Sequence, residues 1–240
     1  MKRRTVVDGR DPRKQYSKAE ISSPAITFES LIATFVVDAY EKHVVTSDVS
    51  GAFLKEEQKD YVLLRLTGEA FKAILRANPG KDEEYVTTEG NVGMLYVQLL
   101  QAMYGTLTAA ISWYTLFAET LIQMGFVLNP YDLCVASKEI NGTQFTICWY
   151  VDDIKLSHRD HREVTKMLNM LEGKFGSMNI TRGLEHTYLG VNFVMNDGKI
   201  ELLMIDYIQD CINSFGEAIN FNAVTPANKN LFEVDENAKV

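Results

Sequence analysis

Cysteine is scarce in this chain. Cys134, Cys148 and Cys211 are odd in number, widely spaced and without a CxxC pair. That excludes a disulfide framework, argues against a zinc knuckle and points to a reducing, intracellular setting, cytoplasmic or nuclear. Long apolar runs are missing too: none approaches the roughly 18 residues a bilayer span needs. Met1-Lys2-Arg3-Arg4 is followed by no apolar stretch of signal-peptide length, so neither a membrane partner nor secretion is expected. Positive charge is in deficit, with 24 Lys and Arg against 32 Asp and Glu, a net −8. Taken alone, this argues against nucleic acid, whose binders carry a basic footprint. Net charge speaks to solubility and association, however, and leaves a local site open. No internal repeat or low-complexity tract is present. The 240 residues are 46% hydrophobic and 23% charged, the composition of one large globular domain or two small ones.

The charge is uneven. Residues 1–20 hold seven Lys or Arg against three acids, so the head is +4 and the remaining 220 residues carry −12. Ser22-Ser23-Pro24 closes that head as a turn. Helical spacing then runs through Phe28, Leu31, Ile32, Phe35, Val36 and Ala39. Val44 to Asp48 reads as a short strand ending on an acid, Tyr61 to Leu66 as another, and Glu69 to Arg76 as a short helix. Met94 to Leu100 is a further apolar run. Trp113, Phe117 and Leu121 mark a helix over 108–124, stopped by Gly125. A weak strand near 133–137 precedes an alternating one over Thr143 to Tyr150, with Ile154 to Ser157 as its hairpin partner. Val164, Leu168, Leu171 and Phe175 predict another helix. Tyr188 to Val194 and Ile200 to Leu203 pair across Asn196-Asp197-Gly198, and Ile205 to Phe215 is a last helix. Helices and short antiparallel strands mix along the chain, which is α+β.

The chemistry concentrates at Tyr150-Val151-Asp152-Asp153. Two adjacent acids interrupt an apolar hairpin where a turn would normally use Asn-Gly or Asp-Gly. Side by side, like carboxylates repel unless a cation sits between them. Mg²⁺ with oxygen ligands is the usual solution where phosphates also coordinate. Asp48, at the end of its own strand, adds a third acid. One strand-end acid and an Asp-Asp hairpin are the minimal set for a two-metal phosphoryl-transfer site, which holds two ions about 4 Å apart. The plainer alternative is an exposed acidic turn and a capping Asp48. His158 and His161, with no cysteine near, read as surface residues, and Trp113 and Trp149 as core. Asn141-Gly142-Thr143 and Asn179-Ile180-Thr181 are glycosylation triplets, unused inside a cell.

Four ordered blocks carry a resemblance. Asp48-Val49-Ser50-Gly51-Ala52-Phe53-Leu54 comes first, and Ala102-Met103-Tyr104-Gly105 leading to Trp113 comes second. Tyr150-Val151-Asp152-Asp153 and Tyr188-Leu189-Gly190 follow, with Thr225-Pro226 near the end. Over about residues 1–232 the chain resembles the reverse transcriptase of a Ty1/copia-type LTR retrotransposon. Its blocks read D-V-x-x-A-F-L, A-L-Y-G-L-x-x-A-x-x-x-W, Y-V-D-D and F-L-G. The resemblance implies an α+β polymerase palm with partial fingers and the start of a thumb. Residues 1–43 would be partial fingers and the first palm helix, and 44–203 the palm with a fingers insertion at about 60–100. The thumb would begin at 204–222, with 223–240 a polar tail or linker.

The implied activity is RNA-directed DNA polymerisation from dNTPs on an RNA or DNA template with a primer. Asp48, Asp152 and Asp153, with the carbonyl of Val49, would hold two Mg²⁺ (or Mn²⁺) ions. Phe53, Tyr104 and Gly105 would line the nucleotide pocket, and Lys2, Arg3 and Arg4 would reach the triphosphate. Tyr150, Val151, Tyr188, Leu189 and Gly190 would lie at the primer end. RNase H and integrase segments of the parent Pol polyprotein would be its partners, in a virus-like particle or nucleus.

The departures are specific. The family's S-P-V-V-R is Ser23-Pro24-Ala25-Ile26-Thr27 here, and its L-K-Q-A-P is Leu107-Thr108-Ala109-Ala110-Ile111. An arginine, a lysine and a proline are therefore missing, and the fingers are expected to begin midway. The rival expectation is an inactive relic that keeps the fold and binds nucleic acid or protein. A third is another Mg²⁺-dependent phosphoryl-transfer enzyme, which the flanking blocks argue against.

Overall fold

The computed structural model describes Ser17 and residues 21–40, 43–58, 60–196 and 198–216. Two compact units divide at Leu203 and Met204. The first is built on a six-stranded sheet in the order β5-β6-β7-β8-β1-β9, every neighbouring pair antiparallel. These strands are β1 (His43–Val49), β5 (Val127–Asn129), β6 (Asp132–Ile140), β7 (Thr143–Tyr150), β8 (Asp153–His158) and β9 (Met178–Arg182).

Helices cover one face. In α3 (Ala109–Gln123), Trp113, Phe117 and Leu121 fall on one stripe, and α4 (His161–Phe175) presents Val164, Leu168, Leu171 and Phe175. All seven are buried against Val45, Ile147, Trp149, Ile154 and Leu156 of the sheet. Asp160 caps α4, its carboxylate accepting from the Arg162 N–H at 2.9 Å. A Phe117→Ala cavity in such a core costs about 3–5 kcal/mol.

The other face meets α1 (Phe28–Asp38) and a three-stranded sheet of β10 (Glu185–Tyr188), β11 (Val191–Asn196) and β12 (Lys199–Leu203). There Leu31 and Phe35 pack with Val44, Val135, Cys148, Tyr188 and Phe193. With both faces covered, β7 is buried almost end to end, Thr146 and Cys148 included. A third sheet, β2 (Leu63–Leu66), β4 (Val92–Gln98) and β3 (Thr87–Glu89) in the order β2-β4-β3, carries α2 (Gly68–Ala77). Gly93 admits α2 closely, since a Cβ there would lie 3.0 Å from the Phe71 ring. The described part of the second unit is one helix, α5 (Ile205–Ser214). No described helix is long and apolar enough to cross a membrane.

Several expectations need correction. Tyr188 to Val194 is two strands: Leu189 (φ +50°) and Gly190 (φ +78°) form a two-residue turn joining Tyr188 to its partner Val191. The α1 stripe is displaced. Leu31, Thr34, Phe35 and Asp38 are buried, whereas Phe28 and Val36 are exposed, because a buried lysine awaits Asp38. His158 is buried, not on the surface: it ends β8 and stacks on Phe145 with ring centroids 5.4 Å apart. The triplet Asn179-Ile180-Thr181 lies within β9, beside β1. Lys2, Arg3, Arg4 and the tail at 223–240 lie outside the described residues.

Candidate active site

The β7–β8 hairpin closes on two residues, with Tyr150 paired to Asp153 and Val151 and Asp152 between them. Val151 has φ +53°, a left-handed conformation that a β-branched residue adopts only under strain. Such strain costs about 1–3 kcal/mol and persists only where the surroundings over-determine it. Here three successive carbonyls are held by three separate elements. Val151 O accepts the Trp113 indole N–H of α3 at 2.7 Å. Asp152 O accepts the Val49 N–H of β1 at 3.0 Å. Asp153 O accepts the Tyr188 hydroxyl of β10 at 3.3 Å, which also reaches Cys148 O at 3.3 Å.

The β1–β8 register sets Asp48 directly opposite Asp153. Residues facing each other on one face stand about 4.5–5.5 Å apart at Cβ, so like charges there repel. Asp48, Asp152 and Asp153 are all half-buried. The Asp152 carboxylate accepts the Tyr104 hydroxyl at 3.2 Å. The Tyr104 ring leans on Phe53 with centroids 4.5 Å apart. Phe53 is buried in the 3-10 turn Ala52–Lys55, entered through Gly51 at φ +67°. Gly105 is exposed at φ +95°. The nucleotide-pocket candidates Phe53 and Tyr104 are thus joined to the acidic turn by packing and one hydrogen bond.

Other candidates are placed differently. Val49 is fully buried. Tyr150 is exposed, and the Leu189–Gly190 turn lies at the surface end of β10. Tyr188 is buried, its hydroxyl turned to the backbone of the hairpin. Burial first, and the Cys148 thiol next, raise its phenol well above the ordinary value. Thr27, standing where the family pattern has arginine, caps α1 through the Ser30 N–H and gives both its N–H and its hydroxyl to Asp132. Its position serves helix anchoring.

In kind, the donors suit a hard divalent cation: carboxylate oxygens on adjacent strand ends, two of them opposed. Among the described residues no three His, Cys, Asp or Glu side chains converge on one ion position. Like carboxylates repel, and that of Asp152 is turned to Tyr104. The backbone brings the three acids to one edge, and the residues fit such a group by donor type.

The family pattern described as reverse transcriptase (RNA-dependent DNA polymerase) matches residues 1–229. The chain belongs to that family. Among solved structures, this reverse transcriptase domain is similar to apo telomerase from Candida tropicalis truncated from its C-terminal domain. The TM-score is 0.44 at 11% identity, over 82% of this chain and 46% of that one. Telomerase from Candida albicans in complex with the TWJ fragment of telomeric RNA gives 0.42 at 10%, over 81% of this chain and 37% of that one. The chain therefore spans less than half the length of either. Members of the family use divalent metal ions and bind RNA or DNA templates.

Sequence reasoning missed three contributors. Trp113 read as plain core, yet its indole N–H holds the turn. Tyr104 was placed in the nucleotide pocket but not on Asp152, and Tyr188 was assigned to the primer rather than to Asp153 O. Spacing marks such residues as apolar; only the pairing of elements shows where a polar tip ends up.

Proposed function

We propose that this chain is the reverse transcriptase domain of a Ty1/copia-type retrotransposon, extending a primer on an RNA or DNA template. The observation that supports it most is the register of β1 on β8, which sets Asp48 opposite Asp153 with Asp152 beside them. Asp48, Asp152, Asp153 and the Val49 carbonyl would hold two Mg²⁺ or Mn²⁺ ions. Bound there, these would lower the pKa of the primer hydroxyl and offset charge on the triphosphate and the departing pyrophosphate. In the transfer, the primer 3′-oxygen bonds to the α-phosphorus of a dNTP, the α–β phosphoanhydride bond breaks and the hydroxyl proton leaves.

The chain's own contribution is position. The braced turn fixes the carboxylates, and Tyr104 orients that of Asp152. Phe53, tilted against Tyr104, would form the floor on which a deoxyribose rests and would leave no room for a 2′-hydroxyl. Gly105 leaves backbone open beside the pocket, and Leu189 and Gly190 offer a turn for the primer end. Lys2, Arg3 and Arg4 would meet the triphosphate. RNase H and integrase segments of a Pol polyprotein would complete the machinery, inside the cell in a particle or the nucleus.

One observation favours an inactive relic instead. Thr27 is committed to Asp132 and α1, so nothing at that position replaces the missing arginine. Primer extension on an RNA template decides between them. Wild type should incorporate dNTP only with Mg²⁺ or Mn²⁺, and Asp152→Asn should lose at least about a thousandfold, several kcal/mol of transition-state stabilisation. Equal incorporation by the two, or none by wild type, makes the chain a relic.

A further inference from the structure

The Val151–Asp153 turn is gripped from both faces of the sheet, and neither gripping side chain is an acid or faces a substrate. Trp113 reaches it from the helical face. That tryptophan is 1% exposed, is wedged edge-on to Phe175 with centroids 5.2 Å apart, and its N–H meets Val151 O at 2.7 Å. Tyr188 reaches it from the opposite face, also buried, with its hydroxyl 3.3 Å from Asp153 O. Both side chains lack freedom to turn elsewhere, because each ring is enclosed in its own apolar cluster. The residue whose carbonyl the indole holds is the strained Val151, which would relax toward an ordinary conformation if that carbonyl were released.

We infer that Trp113 and Tyr188 are positioning residues, which set the Asp152–Asp153 pair against Asp48 by holding the carbonyls of the turn from the two faces of the sheet. The inference rests on the function proposed above. Neither residue touches a reacting atom. Their effect is on where the carboxylates stand, and a misplacement of about 1 Å at such a site is enough to cost a hundredfold in rate.

Two variants test this, each read in two ways. Tyr188→Phe keeps the ring and its packing and removes only the hydroxyl; Trp113→Phe removes the indole N–H. Steady-state primer extension should show kcat lowered by about tenfold or more, with KM for dNTP unchanged. Amide hydrogen exchange reports independently of activity. The Val49 N–H, bonded to Asp152 O, should exchange about tenfold faster, roughly the worth of one hydrogen bond. The Ile147 N–H, deep in the same sheet, should not follow it. A merely structural role would accelerate both amides together. Exchange at Val49 that moves no more than at Ile147, or an unchanged kcat in an enzyme whose wild type extends primers, overturns the inference. Should wild type fail to extend primers, the proposed function falls, and the Val49–Ile147 contrast alone decides whether the turn is braced. Tyr188→Phe carries the test if Trp113→Phe does not fold.

Discussion

Asp38 and Asp132 are buried, and Asp48, Asp152 and Asp153 are half-buried; the chain treats the two groups differently. Asp38 is fully buried and forms an ion pair with Lys155, itself 1% exposed, whose ammonium also lies 5.0 Å over the Phe35 ring. Asp132 answers to four donors. Burial works against its charge. The N–H groups of Thr27 and Cys134 and the hydroxyls of Ser30 and Thr27 outweigh that and hold its carboxyl below the ordinary range. Both inner acids therefore find partners within the chain, Asp38 through its Oδ2 and Asp132 through both oxygens. At the edge, the register opposes Asp48 to Asp153, two residues along β8 from Lys155. Half-buried ground makes that opposition affordable, and it leaves the site open to a ligand cation. A carboxylate that holds the fold is given a cation or a set of donors by the protein, whereas at the strand ends two carboxylates are set facing each other.

The largest effect should come from breaking the inner pair. Asp38→Ala leaves the Lys155 ammonium buried, and urea unfolding should show a loss of about 3–5 kcal/mol. Replacing both, Asp38→Leu with Lys155→Met, should recover most of it. A loss below about 1 kcal/mol for Asp38→Ala would mean that the pair is hydrated, and the contrast would weaken.

Asp132→Ala should cost less, about 1.5–3 kcal/mol at neutral pH from its hydrogen bonds. Its pH dependence is a sharper test. The folded-state pKa is depressed, so the stabilisation is complete above the unfolded value and is lost as pH falls through the folded one. The stability gap between wild type and Asp132→Ala should therefore shrink steadily below the ordinary carboxylate range. A gap independent of pH would show that packing, not charge, holds α1 to β6.

The smallest effect has the opposite sign. Asp48→Asn removes one of two opposed charges and should raise stability by about 0.2–1 kcal/mol while primer extension disappears. If Asp48→Asn instead destabilises as Asp38→Ala does, Asp48 belongs with the structural acids and the comparison collapses.

Much of the fold was legible along the chain, for a physical reason that also limits it. The helices at 109–123 and 161–175 and the strand at 143–150 emerged because apolar spacing follows local periodicity. The strands at 127–129 and 178–182 did not. Each is short, and its burial depends on a neighbour that the local pattern does not contain. Asp38 was overlooked because an acid on an apolar helix looks like the solvent side until Lys155 is brought beneath it from 117 residues away.

The order of four short blocks, with Asp48 and the Asp152–Asp153 pair among them, was enough to point to the family. Those are facts about residue type and spacing, and they need no coordinates. What only the tertiary structure decided is how these acids are held. It set Asp48 against Asp153, turned the Asp152 carboxylate to Tyr104, and anchored the turn from opposite faces, the strained Val151 through an indole and Asp153 through a phenol. Periodicity records which side of an element is apolar. Hydrogen bonds between residues 38 and 35 positions apart depend on how whole elements stack, and that is settled by packing the entire sheet at once.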